Sequence, residues 1–520
     1  MFVTFITPAS WLRRLKPYQW GAHVYGTPDS ITGPLILAGI AKRAGNHVEA
    51  YEELNGSFDI DRLIEKTDVL CLYTMTSNAP RAYDLADLFH KQGHAHVIIG
   101  GMHASAMPEE AARHADQVLV GEAEGTFLDV LQGRIPDRIV HCKPVCDLDS
   151  IPWPDYSVLK TPVKAADIMT SRGCPYRCSF CTTSRMFSPY RQRSVDSVIA
   201  EIKHYHEMGF EYMNFEDDNF TADKERAKEI CRRIIAENLQ FKETFFFGRT
   251  DMANDPEMLD FLAKAHLNWV LIGIEPLNQK TLDAVNKHQS IEDIRRAGKA
   301  CRDHGIQLIA SIVVGADTDT HEDIMRTVQF AKDIDASKLQ PAILTPFPGT
   351  PVYEGYEKES RMLVRDERDW EPFDMMNATY QPKNMSPWDL EMEFFHAACS
   401  FYDRRGAIRM GKTFGPAYGL TRYALALIAR LGKWGTWLAG VVGKGSWYYY
   451  LRHIPWRYAT DHEGDEIGHE LKQLRRKDDA QEIATTLAVL AVLVSPVVRR
   501  VRRLMKDGSP SLPGRPIRQS

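Results

Sequence analysis

Three cysteines fall within eight residues, in Ser171-Arg172-Gly173-Cys174-Pro175-Tyr176-Arg177-Cys178-Ser179-Phe180-Cys181, with the spacing C-x-x-x-C-x-x-C. Three thiolates on one short loop can cap three corners of a four-iron cluster, and the fourth iron then stays open to a small molecule. Closed zinc sites ask for four protein ligands, and no fourth Cys or His stands nearby in the expected pairs. A ferredoxin-type cluster needs a fourth cysteine as well. The bland alternative is three buried thiols gathered by chance, and their position directly after a strand argues against it. The other six of the nine cysteines are scattered. Nine in 520 residues is too few for a disulfide scaffold, and in a reducing compartment a tight cysteine cluster points to metal.

The cluster follows the first of six β/α units. Strand-like segments at 165–170, 211–217, 244–249, 269–275, 307–315 and 338–345 alternate with helical patterns such as 193–208, 223–238 and 320–334. Strands alternating with helices predict a parallel sheet covered on both faces. Six units predict an incomplete barrel, open on one side, with its chemistry where strands end and loops begin. Residues 1–132 hold a separate run, with strands expected at 2–7, 48–54, 69–74, 96–101 and 117–122 and a helix from Arg81 to Gln92. Such a sheet also takes ligands at the carboxyl ends of its strands. Gly100-Gly101 and Gly121-Glu122 stand at two of those ends. Glycine there either admits a bulky ligand or makes a tight turn, and the residue types alone do not choose. Residues 133–164, rich in Pro and Asp, read as an ordered linker. The barrel and its extension take 165–385, and 386–520 reads as mainly helical. The fold class is α/β.

Hydrophobic residues make up 44% of the chain and charged residues 26%, which argues against disorder or a fibre. The net charge of −5 argues against a chain devoted to nucleic acid. That average hides an asymmetry. Residues 401–520 carry 21 Lys and Arg against 10 Asp and Glu, while residues 1–400 carry 43 against 59. A basic tail on an acidic body suggests an anionic surface as its partner. Residues 483–498 form an uncharged apolar run, followed at once by Arg499, Arg500, Arg502 and Arg503. Its length falls short of the roughly 20 residues that a bilayer span needs. With the aromatics of Trp447-Tyr448-Tyr449-Tyr450 it fits a helix lying in a membrane interface; the alternative is a core helix with a solvated basic end. Met1 leads straight into Phe2-Val3-Thr4-Phe5-Ile6 without a basic segment, so no secretory signal is expected. The expected location is cytoplasmic, peripheral on the inner face of the membrane.

The cysteine spacing after the first strand of a six-unit barrel resembles the radical S-adenosylmethionine (SAM) superfamily, over residues 165–347. The resemblance implies a 4Fe-4S cluster on Cys174, Cys178 and Cys181, whose open iron chelates SAM. An electron from the cluster would cleave SAM to a 5′-deoxyadenosyl radical that abstracts hydrogen, so an electron donor such as a flavodoxin or ferredoxin is implied. Phe180 is expected against the adenine. Glu216, Arg249, Glu275, Ser311 and Gly315 are the looser matches. Arg249 suits the SAM carboxylate, Glu275 a ribose hydroxyl, and Ser311 to Gly315 the segment supporting the adenine.

Residues 1–155 resemble the Rossmann-like domain of the cobalamin-binding subfamily, through Thr74-Met75-Thr76-Ser77-Asn78, Ile98-Ile99-Gly100-Gly101-Met102-His103 and Val120-Gly121-Glu122-Ala123-Glu124-Gly125. Ser77, Asn78, Gly100, Gly101, His103, Gly121 and Glu122 are thereby expected at cobalamin, His103 as a pocket-lining residue and not a cobalt ligand. One departure matters: the D-x-H-x-x-G motif that supplies a lower ligand is absent, and Thr27-Pro28-Asp29-Ser30-Ile31-Thr32-Gly33 stands where it would fall. The resemblance implies a C-methyltransferase that moves a methyl group from methylcobalamin to an unactivated carbon. A small-molecule or lipid substrate is expected. The basic tail suggests a lipid, and the lipid-acting members, hopanoid C-3 methylases in particular, are the specific expectation. The alternatives are a cobalamin-dependent radical cyclase or oxidase and a non-enzymatic iron–sulfur redox protein.

Overall fold

The computed structural model describes residues 1–427, apart from 15–29, 162, 276, 278–281, 283–286, 365, 417, 418 and 421. Strands β1 (Phe2–Thr7), β2 (His47–Glu52), β3 (Val69–Tyr73), β4 (His96–Gly100), β5 (Gln117–Val120) and β6 (Ile139–His141) form one parallel sheet in the order β2-β1-β3-β4-β5-β6. The central strands β3, β4 and β5 are buried on both faces, which is why they are near-continuous apolar runs. Val3, Phe5, Val69 and Ile98 face one side, and Ile6, Leu70, Val97 and Ile99 the other. Helix α1 (Thr32–Arg43) covers the first side with Leu35 and Ala38, and α2 (Ala79–Gln92) the second with Ala82, Leu85 and Phe89.

Strand β6 lies inside the segment expected to be linker, so the first sheet reaches past residue 132 to His141. Three residues are too few for a period to show; pairing with Val118 to Val120 makes the strand. The rest of the linker is ordered against β2. Leu159 bridges Ala50, and the Lys160 N–H donates to the Ala50 carbonyl at 2.9 Å.

The second parallel sheet comprises β7 (Ala165–Ile168), β10 (Tyr212–Phe215), β11 (Glu243–Gly248), β12 (Trp269–Gly273), β13 (Gln307–Val314) and β14 (Lys338–Ile343). Its strands are neighbours in chain order, and β7 and β14 are its two edges. This is the incomplete six-unit barrel. Between β7 and β10, β8 (Ser171–Arg172) and β9 (Arg191–Gln192) form a small antiparallel pair. Helices α3 (Val195–Glu207), α4 (Lys224–Ala236), α5 (Pro256–Lys264), α6 (Ile291–Asp303) and α7 (His321–Asp333) separate the large-sheet strands. Their starts are written in polar caps. Ser290 with Asp293 and Thr320 with Asp323 form capping boxes, each satisfying backbone donors that a helix start leaves orphaned.

One hydrophobic core runs from Val3 and Phe5 through Tyr156 and Val158 to Phe215, Val270 and Phe401. The inner face of the first sheet and the barrel are thus a single packed interior. Beyond β14 the chain returns to the first sheet's outer side, where the Trp370 indole N–H donates to Glu110 at 2.9 Å. Helices α8 (Pro387–Phe401) and α9 (Arg404–Phe414) begin the C-terminal region. On α9, Arg404, Arg405, Ile408 and Lys412 are exposed, and Leu420, Tyr423 and Leu427 are exposed nearby in the chain. The apolar run 483–498 and the arginines after it lie outside the described residues.

Candidate active site

The loop bearing the cysteines is held at both stems. β8 pairs with β9 through Ser171–Gln192 and Arg172–Arg191, so residues 173–190 form a closed excursion. Gly173 starts it with φ +77°, and a Cβ there would collide with the Phe187 carbonyl. Only glycine meets both demands. Buried Asp217 fixes the approach by accepting from the Thr170 N–H at 3.1 Å and its hydroxyl at 2.8 Å. Within the loop, the Cys181 N–H donates to the Cys178 carbonyl at 3.2 Å, a turn that brings two thiol-bearing residues together. Cys178 is buried, Cys174 and Cys181 half-buried, and none forms a disulfide. Burial pushes the Cys174 thiol up, which a metal must overcome by ligating the thiolate. Among the described residues no three His, Cys, Asp or Glu side chains close on a single-ion site. A four-iron cluster does not require that, because each thiolate caps its own iron. The donor set therefore fits a cluster.

Beside the loop the barrel presents a connected polar group. Gly248 pairs level with Ile272, and Gly273 with Ser311, so Arg249, Gly273 and Ser311 stand side by side at the strand ends. The Arg249 guanidinium lies 3.8 Å from the Tyr176 ring centroid and also donates to the Lys287 carbonyl at 2.5 Å. The Lys287 ammonium is 2.7 Å from Glu275 Oε1 and 5.7 Å from the Phe180 ring centroid. Glu275 is held at φ +53°, and its buried Oε2 has no hydrogen-bond partner among the described residues. An acceptor left open in a buried site is costly unless something fills it. Phe180, Arg249, Glu275 and Ser311 are thus brought together. Gly315 stands apart. Its carbonyl accepts from the Tyr380 hydroxyl, and a Cβ there would press on Tyr380 and Leu390. Packing fills the space that a side chain there would take.

The carboxyl ends of both sheets face one cavity of about 650 Å³. From the first sheet come Pro8, Met75, Ser77, Asn78, Gly100, Gly101, Gly121 and Glu122; from the barrel, Met169, Gly173, Thr183, Phe187, Glu216, Asp218 and Phe247. Of the residues expected at SAM, Glu216 reaches this cavity. Asp218, from the same Glu216-Asp217-Asp218-Asn219 segment that ends the second barrel strand, lines it as well, and burial pushes its carboxyl up to about 6. Tyr176 and Lys287 escaped sequence reasoning; Lys287 lies twelve residues beyond Glu275, with no motif to link them.

Six of the seven residues expected at cobalamin line the cavity, and His103 does not. The helix after Gly101 aims Met102 and Ser105 at the cavity and turns His103 to the sheet's outer side. There its ring sits fully buried, 3.1 Å from Glu110 and edge-on to Trp370. The expectation that it lines the pocket is corrected. Other members have structural duties too. The Asn78 amide is spent on the Met75 N–H and the Pro8 carbonyl. Gly101 has φ +108°, and a Cβ would stand 2.5 Å from the Thr74 carbonyl. Gly121 has φ +92°. Turn geometry therefore requires both glycines whatever binds beside them. Of the loop without the D-x-H-x-x-G motif, Thr27 to Asp29 lie outside the described residues, and Ser30 to Gly33 line the cavity.

Comparison with known proteins agrees with this geometry. Residues 168–331 match the radical SAM superfamily and residues 31–131 the B12 binding domain. The bacteriochlorophyllide d C-8(2)-methyltransferase of Chlorobaculum tepidum is 30% identical over 346 residues, 62% of this chain and 74% of that protein. The anaerobic magnesium-protoporphyrin IX monomethyl ester cyclase of Cereibacter sphaeroides is 25% identical, over 56% of this chain and 53% of that one. The hopanoid C-2 methylase of Rhodopseudomonas palustris is 25% identical, over 52% of this chain and 54% of that one. In fold, the chain is similar to the radical SAM methyltransferase TsrM of Kitasatospora setae, solved with cobalamin and a [4Fe-4S] cluster. The TM-score is 0.58 at 15% identity, over 82% of this chain and 99% of that one.

Proposed function

The chain belongs to the cobalamin-dependent radical SAM methyltransferases, and from that premise we propose that it methylates an unactivated carbon of an apolar, lipid-like acceptor of hopanoid type. Its cofactors are a 4Fe-4S cluster, SAM and cobalamin. The observation that carries the reading is the cavity shared by the carboxyl ends of both sheets. When bound, the cofactors supply the radical and the methyl group; the chain positions them and excludes water.

Cys174, Cys178 and Cys181 are assigned to the cluster. Arg249 and Glu275 are assigned to SAM, Arg249 through its forked donors and Glu275 through its open Oε2. Phe180 and Ser311 flank them. Ser77, Asn78, Gly100, Gly101, Gly121 and the Ser30 to Gly33 loop form the cobalamin side. A domain-derived histidine from D-x-H-x-x-G has no part in it. Met169, Met186, Phe187 and Phe247 give the barrel side an apolar lining, which suits an acceptor without charge. The name of the hopanoid-methylating relative supports the same class. Among the described residues no helix is long and apolar enough to cross a membrane. The exposed Arg404, Arg405, Ile408 and Lys412 of α9, with Leu420, Tyr423 and Leu427, support peripheral docking on an anionic lipid surface.

The test is anaerobic incubation of the reconstituted chain with labelled SAM, a strong reductant, cobalamin and a membrane lipid extract. A lipid gaining one labelled methyl group supports the proposal. Unlabelled product with an added ring identifies a cyclase instead. Replacing any one of Cys174, Cys178 and Cys181 by Ala should remove most iron and abolish 5′-deoxyadenosine formation; undiminished iron in all three would overturn the cluster assignment.

A further inference from the structure

Glu122 was expected at cobalamin, yet its carboxylate is occupied. Oε2 accepts from Arg172 at 2.8 Å, from Arg191 at 3.0 Å and from the Val145 N–H at 3.0 Å. Oε1 accepts from Arg191 as well. The second guanidinium nitrogen of Arg172 goes to Glu124. The side chains are 2% exposed at Glu122, 7% at Arg172, 9% at Arg191 and 10% at Glu124. Arg172 and Arg191 pair across β8 and β9, the two stems of the cysteine loop, and Arg172 stands two residues before Cys174. Glu122 and Glu124 follow β5 and line the shared cavity. One carboxylate thus joins the cobalamin-side sheet, the linker at Val145 and both stems of the loop.

We propose that Glu122 is a positioning residue that couples occupancy of the cobalamin side of the cavity to the order of the cysteine loop. A group settling against Gly121 and Glu122 restrains the carboxylate, and the carboxylate restrains both stems. Withdrawing one partner leaves a buried charge unpaired, so the four groups keep their geometry together or lose it together. The inference rests on the cluster and cobalamin assignments above.

The experiment is hydrogen–deuterium exchange, read by mass spectrometry, on the anaerobically reconstituted full chain with and without hydroxocobalamin. In the wild type, hydroxocobalamin should slow exchange over 171–192. In Glu122→Gln, that segment should exchange at least about tenfold faster, the effect of losing a charge-assisted hydrogen bond, and hydroxocobalamin should no longer protect it. Arg191→Gln, which removes one stem's contact, should give the same result and stands in if Glu122→Gln does not fold. Unchanged loop exchange in both variants overturns the proposal. So does an equal rise over 307–314, which would make the network a general contributor to folding. Iron content separates the premise from the inference: the cysteine variants lose iron if the cluster assignment holds, whereas Glu122→Gln and Arg191→Gln should keep it.

Discussion

At Glu275 the chain holds a non-glycine residue at φ +53°, a conformation that costs of order 1 kcal/mol and persists only where surroundings impose it. Gly273 leaves the room in which Glu275 meets Lys287. A Cβ there would stand 2.6 Å from the Lys287 ammonium and 2.7 Å from Glu275 Oε1. Gly273→Ala is therefore expected to part the pair, weakening SAM binding by about tenfold in equilibrium dialysis while iron content holds. Asp319 makes a second prediction. It accepts from the Gly315 N–H at 2.9 Å and the Ala316 N–H at 3.0 Å, and burial pushes its carboxyl from 3.8 up to about 6. A raised folded-state value favours the protonated form. Its contribution is complete below about pH 4 and is lost as pH rises through about 6. Asp319→Asn should thus be more stable than wild type at neutral pH by about 1–3 kcal/mol in denaturant unfolding, with the gap closing towards pH 4. At this scale the cysteines were legible because spacing along one loop carries their chemistry. Lys287 and Tyr176 were not, because only folding brings them to Arg249 and Phe180. His103 was misplaced because alternation along β4 says nothing of how the following helix turns.

Among the elements, strand ends decide the site. Sequence patterns placed all six barrel strands to within two residues at either end, since short apolar runs at regular spacing stand out from the amphipathic helices between them. They missed β6, whose three residues depend wholly on pairing with β5. They also left the strand-end glycines undecided between ligand approach and turn geometry, a choice that φ makes. Gly101→Ala places a Cβ against the Thr74 backbone at a positive φ, and should cost about 2–4 kcal/mol in denaturant unfolding. Gly100, where a Cβ would meet nothing closer than 3.7 Å, should tolerate alanine in the same measurement.

Over the whole molecule, the charge asymmetry was legible from counting alone, and the exposed cations of α9 lie where the basic tail begins. The tail's part in membrane docking has a direct test. The full chain should float with anionic vesicles in low salt, and a chain ending at Leu427 should float less. Each basic residue near the surface contributes about 1 kcal/mol, a term that salt screens. Recovery of the full chain wholly in the unbound fraction would remove the case for a lipid acceptor. The unbroken interior shared by the first sheet and the barrel has a different consequence, one for inheritance. Phe5, Val69 and Ile98 lie in the same core as Phe215 and Val270, so neither half can be exchanged with a relative's without matching side chains across the join. Chimaeras that graft a foreign cobalamin domain at the linker should therefore recover only when the facing residues travel with it. Divergence among relatives should then be concentrated where the shared core does not reach: the cavity lining and the tail.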